Sequence, residues 1–349
     1  MLRQRQRTAS WRAGLLVAAV SFLAGFGGTL QAEDPWLVFE GKGEGPGKSK
    51  HIVLISGDDE YRSEEALPQL GKILSTHHGF KCTVLFPIDP KDGTIKPDFQ
   101  KNIPGLEALK TADLAVVFLR FRDLPDDQMQ HFVDFIESGK PVVGMRTATH
   151  SFNIPEKSKF AKYGWTFGGK DYEQGFGRQV LGETWISHHG EHGRQGTRGI
   201  FAPGQEKNPI LRGIQNGEIF GLTDVYGVRL PLPGDTQPLV LGEITETLES
   251  SSKAIAGAKN APMMPVAWTK TYKGTSGKVS RVFNTTMGAS QDLENEAVRR
   301  MLVNAVYWGL GLEDRIPEKS KVDIVGTFKP TRFSFGGYVK GKKPADYAN

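Results

Sequence analysis

Short apolar runs alternate with helical periodicity through the first half of the chain. Residues 51–56, His-Ile-Val-Leu-Ile-Ser, form a continuous apolar run that stops at Gly57-Asp58-Asp59. A run of that length closed by turn formers reads as a buried strand. Over residues 64–77, Leu67, Leu70, Ile73 and Leu74 share one helical face, with Ser63 placed to cap the start and Gly79 to end it. Residues 81–86 read as a second strand and residues 113–119, apolar throughout, as a third. Pro125-Asp126-Asp127 opens a helix that carries its carboxylates at the positive end of the helix dipole. Phe132, Phe135 and Ile136 supply its apolar stripe, Gly139-Lys140 ends it, and residues 141–145 form a fourth strand.

Strands that are apolar on both faces and alternate with helices predict parallel crossovers. The expected fold is α/β, flavodoxin-like, a mostly parallel sheet with helices on both faces. Further strands are expected at residues 219–222, 238–242, 264–268 and 280–284. The clearest helix lies over residues 294–310, where Val298, Met301, Leu302, Ala305, Val306 and Leu310 make one apolar face. Residues 33–50, with the run Gly41-Lys42-Gly43-Glu44-Gly45-Pro46-Gly47, read as a flexible lead-in. The domain is expected over residues 51–312, followed by a C-terminal arm of turns, with room for one short strand, over residues 313–349.

The first 32 residues read as an export signal. Arg3, Arg5, Arg7 and Arg12 precede an apolar stretch from Ala13 to Phe26, and Leu30-Gln31-Ala32 offers a cleavage point. The apolar stretch is short of the roughly 20 residues that cross a membrane. The expected location is therefore periplasmic or secreted. This leader changes the charge argument, because four of the 44 basic residues lie in it and all 39 acidic ones lie beyond it. The remainder is nearly neutral, which argues against nucleic acid as a partner. Cys82 is the single cysteine, so neither an internal disulfide nor a thiolate metal site exists.

Ligands of open parallel sheets bind outside the carboxyl ends of the strands. That rule selects Asp58, Asp59, Tyr61 and Arg62 after the first strand, and Arg120 and Arg122 after the third. It also selects Arg146, Thr147 and His150 after the fourth. Arg146 stands where a nucleophile elbow would project its side chain, and a fixed planar cation there suits the oxygens of a ligand. Asp58 and Asp59 fit either acid–base work or plain turn chemistry. The run Trp185-Ile-Ser-His188-His189-Gly190-Glu191-His192 clusters three imidazoles. Each could move a proton near neutral pH. His188 and His192 have i, i+4 spacing, but Gly190 and Gly193 disfavour the helix a zinc motif needs. The candidate catalytic residues are therefore His150, His188 and His189, with His188 and His192 as weak metal ligands.

Gly57 with Tyr61-Arg62, Gly144-Met-Arg-Thr-Ala-Thr-His150, Phe167-Gly-Gly169, Pro265-Val-Ala-Trp268, Arg281-Val-Phe-Asn-Thr-Thr-Met-Gly288 and Arg299-Arg-Met-Leu-Val-Asn-Ala-Val-Tyr-Trp308 together form a pattern over residues 50–312. The pattern resembles the trehalose-utilisation (ThuA-like) family. The resemblance implies a class I glutamine amidotransferase-like fold, a link to disaccharide metabolism and action on oxidised sugars. Family members often carry histidine where Arg146 stands and Gly-His where this chain has Gly288-Ala289. The amidotransferase reaction itself is excluded, since Cys82 falls inside the second strand.

The leading expectation is an exported protein that acts on a carbohydrate by hydrolysis, elimination or isomerisation. A non-catalytic sugar-binding protein and a metal-dependent hydrolase are the alternatives. The expected partner is a small carbohydrate. No cofactor, nucleic acid or, after signal removal, membrane is expected. A divalent metal and a homo-oligomer are left open.

Overall fold

A ten-stranded sheet runs through the computed structural model, which describes Met1 and residues 34–349. The expected leader lies outside the described residues. The strands in chain order are β1 (Trp36–Phe39), β2 (His51–Gly57), β3 (Lys81–Leu85), β4 (Leu114–Leu119), β5 (Val142–Met145), β6 (Ser187–His188), β7 (Thr197–Phe201), β8 (Ile219–Gly221), β9 (Tyr226–Gly227), β10 (Gln237–Ile244), β11 (Met264–Lys273) and β12 (Val279–Thr285). The α-helices are α1 (Ser63–His78), α2 (Asp126–Glu137) and α3 (Glu296–Gly309).

The sheet order is β1-β3-β2-β4-β5-β12-β11-β10-β7-β8, and β6 pairs with β9 apart from it. From β3 to β12 neighbouring strands are parallel. On the far flank β12, β11, β10, β7 and β8 are antiparallel neighbours, and β1 lies antiparallel on β3. The sheet is therefore mixed, which corrects the mostly parallel expectation. The connection from β11 to β12 spans only residues 274–278, too short for the crossover that parallel neighbours require, so the chain turns back on itself. Trp36–Phe39, placed in the lead-in by the sequence, is an edge strand in register with Leu85–Cys82.

Alternate residues of each central strand serve opposite cores, which is why those strands are apolar throughout. Ile52, Leu54 and Val116 pack with Leu67, Leu70 and Ile73 of α1 and with Val298, Met301 and Leu302 of α3. Val53, Ile55 and Val117 pack with Met129, Phe132, Phe135 and Ile136 of α2. Gly79 ends α1 at φ 78°, a conformation that costs glycine little. Ser63 is not the cap. It lies inside the first turn, and its hydroxyl accepts from the amides of Gly57 at 3.2 Å and Asp58 at 2.9 Å, tying β2 to α1.

Beyond α3 the chain forms no strand among the described residues. It runs back along the helices through Arg299 Nε to the Val322 carbonyl (2.7 Å) and the Thr331 amide to Glu65 (2.8 Å). At Ser334 it reaches the loop after β2, where the Ser334 amide donates to the Glu60 carbonyl at 3.0 Å. Cys82 is buried as the second residue of β3, away from the carboxyl ends of the strands.

Candidate functional site

The ends of β2, β4 and β5 lie side by side, and the loop after each contains a non-glycine residue in the left-handed region. These are Arg62 at φ 63°, Phe121 at φ 50° and Arg146 at φ 42°. Each such residue costs about 1–3 kcal/mol and persists only where its surroundings hold it. The Phe121 amide donates to the His150 carbonyl at 3.1 Å, and the Arg146 amide to the Met287 carbonyl at 3.1 Å.

Side chains then lock the three loops together. Thr147 Oγ1 donates to Asp58 Oδ2 at 2.7 Å, while Asp58 Oδ1 accepts from the amides of Glu60 and Tyr61. Burial pushes the Asp58 carboxyl up to about 6, against the pull of the Tyr61 amide. Arg120 pairs with Asp59 at 3.0 Å, and its guanidinium lies between the rings of Phe121 (4.5 Å) and Phe335 (4.8 Å).

Arg146 is wholly enclosed. Its Nη1 donates to the carbonyls of Asp224 (2.8 Å) and Thr286 (2.7 Å), and its Nη2 to Tyr61 Oη (3.0 Å) and Asp224 Oδ1 (2.9 Å). The guanidinium lies 3.6 Å from the ring centre of Tyr226 and 4.4 Å from that of Tyr61. A planar fork meeting four acceptors between two aromatic faces is work that lysine cannot do. The residue therefore holds the floor of the site and does not reach its open side.

Asp224 is the hub above that floor. Its loop is held by Asp292, whose carboxylate accepts from the Leu222 amide (2.7 Å), the Thr223 hydroxyl (2.7 Å) and the Gly288 amide (2.9 Å). Asp224 Oδ2 meets His188 Nδ1 at 2.8 Å, and Oδ1 meets His192 Nδ1 at 3.2 Å. The other ring nitrogen of His192 lies 3.1 Å from Glu60 Oε1. Burial opposes ionisation of Asp224, but hydrogen bonds from both imidazoles and the charge of Arg146 hold its carboxyl well below the usual range. Hydrogen bonds to Asp224 and Glu60 outweigh burial at His192 and raise it to about 9.

The open side is aromatic. His188 and His192 are 37% and 35% exposed along their side chains. Beside them Trp185 lies 5.8 Å from His188 and 6.2 Å from Trp165, and Trp165 lies 5.1 Å from Phe121. His150 is buried behind this wall, 5.3 Å from Trp185 and 5.1 Å from Phe121, with Nδ1 on Thr149 Oγ1 at 3.1 Å. Burial, then the charges of Arg120 and Arg146, hold His150 neutral. On the opposite side Phe333 packs on His192 at 5.3 Å, and Phe335 stands 62% exposed.

Asp58, Asp59, Tyr61, Arg120, Arg146, Thr147, His150, His188 and His192 thus meet at one edge. His189 points away, its Nε2 on the Lys259 carbonyl at 2.8 Å. Arg122 is buried on the carbonyls of Arg120, Phe99 and Pro97, and Arg62 donates to the Ser334 carbonyl at 2.7 Å. Neither guanidinium joins the open site. Sequence reasoning did not single out Asp224, Glu60, Tyr226 or Phe335. Glu60 stood in a selected loop, but Asp224 sits in Leu-Thr-Asp-Val-Tyr, which carries no motif.

A family model described as ThuA, trehalose utilisation, matches residues 62–309. The chain belongs to the ThuA family. The matched span contains Arg146, His188, His192 and Asp224, whereas Asp58–Tyr61 and Phe333–Phe335 lie outside it. Among solved structures, a ThuA-like protein from Parabacteroides merdae is 14% identical, covers 82% of this chain and 97% of its own, and superposes with a TM-score of 0.46. One from Bacteroides uniformis is also 14% identical, with coverage of 76% and 94% and a TM-score of 0.44. No curated protein matches the chain.

Proposed function

We propose that this ThuA-family protein is an exported enzyme that acts on a carbohydrate, with an oxidised, keto-bearing disaccharide as its substrate. The observation that carries the reading is one buried carboxylate, Asp224, holding two imidazoles at the rim of an aromatic wall. Aromatic faces take the apolar face of a sugar ring, and fixed polar groups then select its orientation. Trp165, Trp185 and Phe121 supply the faces. The indole N–H of Trp185 has no partner among the described residues and offers one more donor.

His188 is the proton-transfer group. Its Nδ1 is engaged by Asp224, which sets the tautomer and leaves the other ring nitrogen for the substrate. His192, fixed between Asp224 and Glu60, faces the same space beside it. Arg146 acts through Asp224 as a positioning residue. A base beside an aromatic platform suits removal of a proton next to a carbonyl, the first step of elimination or isomerisation.

The test is to incubate purified protein with a panel of disaccharides and their 3-keto derivatives and follow products by mass spectrometry. The expected result is conversion of a keto-disaccharide, with the unoxidised parent unchanged. Thermal stabilisation by a sugar that survives intact would instead identify a binding protein. That result would overturn the enzymatic reading.

A further inference from the structure

We propose that Asp224, His188 and His192 form the binding site for one borderline divalent cation, of the Zn²⁺ or Mn²⁺ kind. Each residue offers one donor atom, and the three atoms lie within 4.8 Å of one another. A cation bound about 2.0–2.2 Å from each donor needs its ligand atoms roughly 3 to 3.5 Å apart. His188 Nδ1 stands 2.8 Å from Asp224 Oδ2 and His192 Nδ1 3.2 Å from Asp224 Oδ1, so each imidazole already faces one oxygen of the carboxylate near that spacing.

The surroundings orient the donors. Glu60 Oε1 can only accept, so the proton of His192 Nε2 is directed to it at 3.1 Å and Nδ1 is turned toward Asp224 and His188. A carboxylate behind an imidazole whose other nitrogen faces the cluster is the arrangement that fixes histidine ligands in metal sites. Arg146 occupies Asp224 Oδ1 at 2.9 Å from a position wedged between Tyr61 and Tyr226. The carboxylate is thereby held in one orientation, with Oδ2 presented to His188 and Oδ1 shared between Arg146 and His192. Two nitrogens and one oxygen favour a borderline cation over Mg²⁺ or Ca²⁺, which prefer oxygen alone. Three protein ligands leave coordination positions open, and the exposed sides of the two rings place those positions toward the aromatic wall.

Only the cation's role rests on the proposed function: in the loaded chain it would take the place of the His188 Nδ1 proton, hold a hydroxyl or carbonyl oxygen of the sugar, and leave His188 Nε2–H as a donor. Binding itself does not rest on that function. The experiment uses the full chain, stripped with chelator and dialysed. Zn²⁺ and Mn²⁺ are titrated separately by calorimetry, and bound metal is counted by mass spectrometry. The expected result is one cation per chain, not displaced by equimolar Mg²⁺. H188Q and H192Q weaken binding at least tenfold, and H189Q, whose neighbouring ring lies outside the cluster, leaves it unchanged. Should a variant fail to fold, Co²⁺ added to the wild-type chain gives the independent readout. One equivalent must produce the visible absorption of low-symmetry nitrogen–oxygen coordination.

Less than a tenth of an equivalent bound, displacement by Mg²⁺, or equal loss in H189Q and H188Q would overturn the site. Sugar turnover by stripped protein that binds no cation would overturn this inference alone. Stoichiometric binding without turnover of any sugar would count only against the proposed enzyme.

Discussion

Glu64 lies in the first turn of α1, directly below the loop that carries Asp58 and Tyr61, and it is 1% exposed. Neither carboxyl oxygen has a hydrogen-bond partner among the described residues. Burial, reinforced by the charge of Glu65 and opposed by Arg62, pushes its carboxyl up from 4.5 to about 8. The folded protein therefore keeps this proton at neutral pH while the unfolded chain loses it above 4.5. An acid raised in the folded state contributes stability that is full below the unfolded value and falls as pH rises toward the folded one. The slope is about 1.4 kcal/mol per pH unit, or about 4 kcal/mol between pH 5 and pH 8. Glu64→Gln replaces the neutral acid by a neutral isostere and removes only this dependence. Urea unfolding of both proteins at pH 5, 6, 7 and 8 should show the variant gaining on the wild type by about that amount, levelling off above pH 8. Parallel stability curves would mean that Glu64 ionises normally and that the packing described around it is wrong.

Thr147→Val removes the only side-chain donor to Asp58 Oδ2 among the described residues and should cost about 1–3 kcal/mol in urea unfolding at pH 7. The loss should shrink below pH 6, as Asp58 takes up its proton; an unchanged midpoint at pH 7 would contradict it. Arg146→Lys keeps the charge but cannot serve four acceptors between two rings, so it should destabilise the fold by about 3 kcal/mol or more. A thermal midpoint equal to that of the wild type would show that the guanidinium is dispensable. Phe335→Ala should leave stability within about 0.5 kcal/mol, because the ring is largely exposed. It should raise KM for the sugar about fivefold at similar kcat, the effect of one lost ring contact of about 1 kcal/mol. An unchanged KM would remove the arm from the site.

Much of the scaffold was legible because its signals are local. Strands β2, β4 and β5 are buried on both faces, so each is an unbroken apolar run, and α3 repeats its apolar face over four turns. Strand β7 escaped notice because Thr197-Arg-Gly-Ile-Phe201 mixes polar residues and a glycine into a partly exposed strand. The edge strand β1 is only four residues long.

The strand-end rule found one half of the site, since Asp58, Arg120 and Arg146 each follow a legible strand. It could not find Asp224, which meets His188 across 36 residues and Arg146 across 78. Those contacts exist only because the segment between β8 and β9 returns to the strand ends of the parallel half, where it meets Arg146. The same folding separates His188 from His189. Neighbours in sequence, they hang on opposite sides of the short pairing between β6 and β9, one toward Asp224 and the other toward Lys259.

That contrast supplies the most direct measurement. The rate of keto-disaccharide turnover by wild type, His188→Gln and His189→Gln is compared at equal concentration, with thermal midpoints confirming that all three are folded. The account predicts that His188→Gln lowers kcat/KM at least about a hundredfold, as loss of a proton-transfer group does, and that His189→Gln stays within about twofold of wild type. Full activity in His188→Gln, or equal losses in both variants, would contradict a reaction centre built on Asp224.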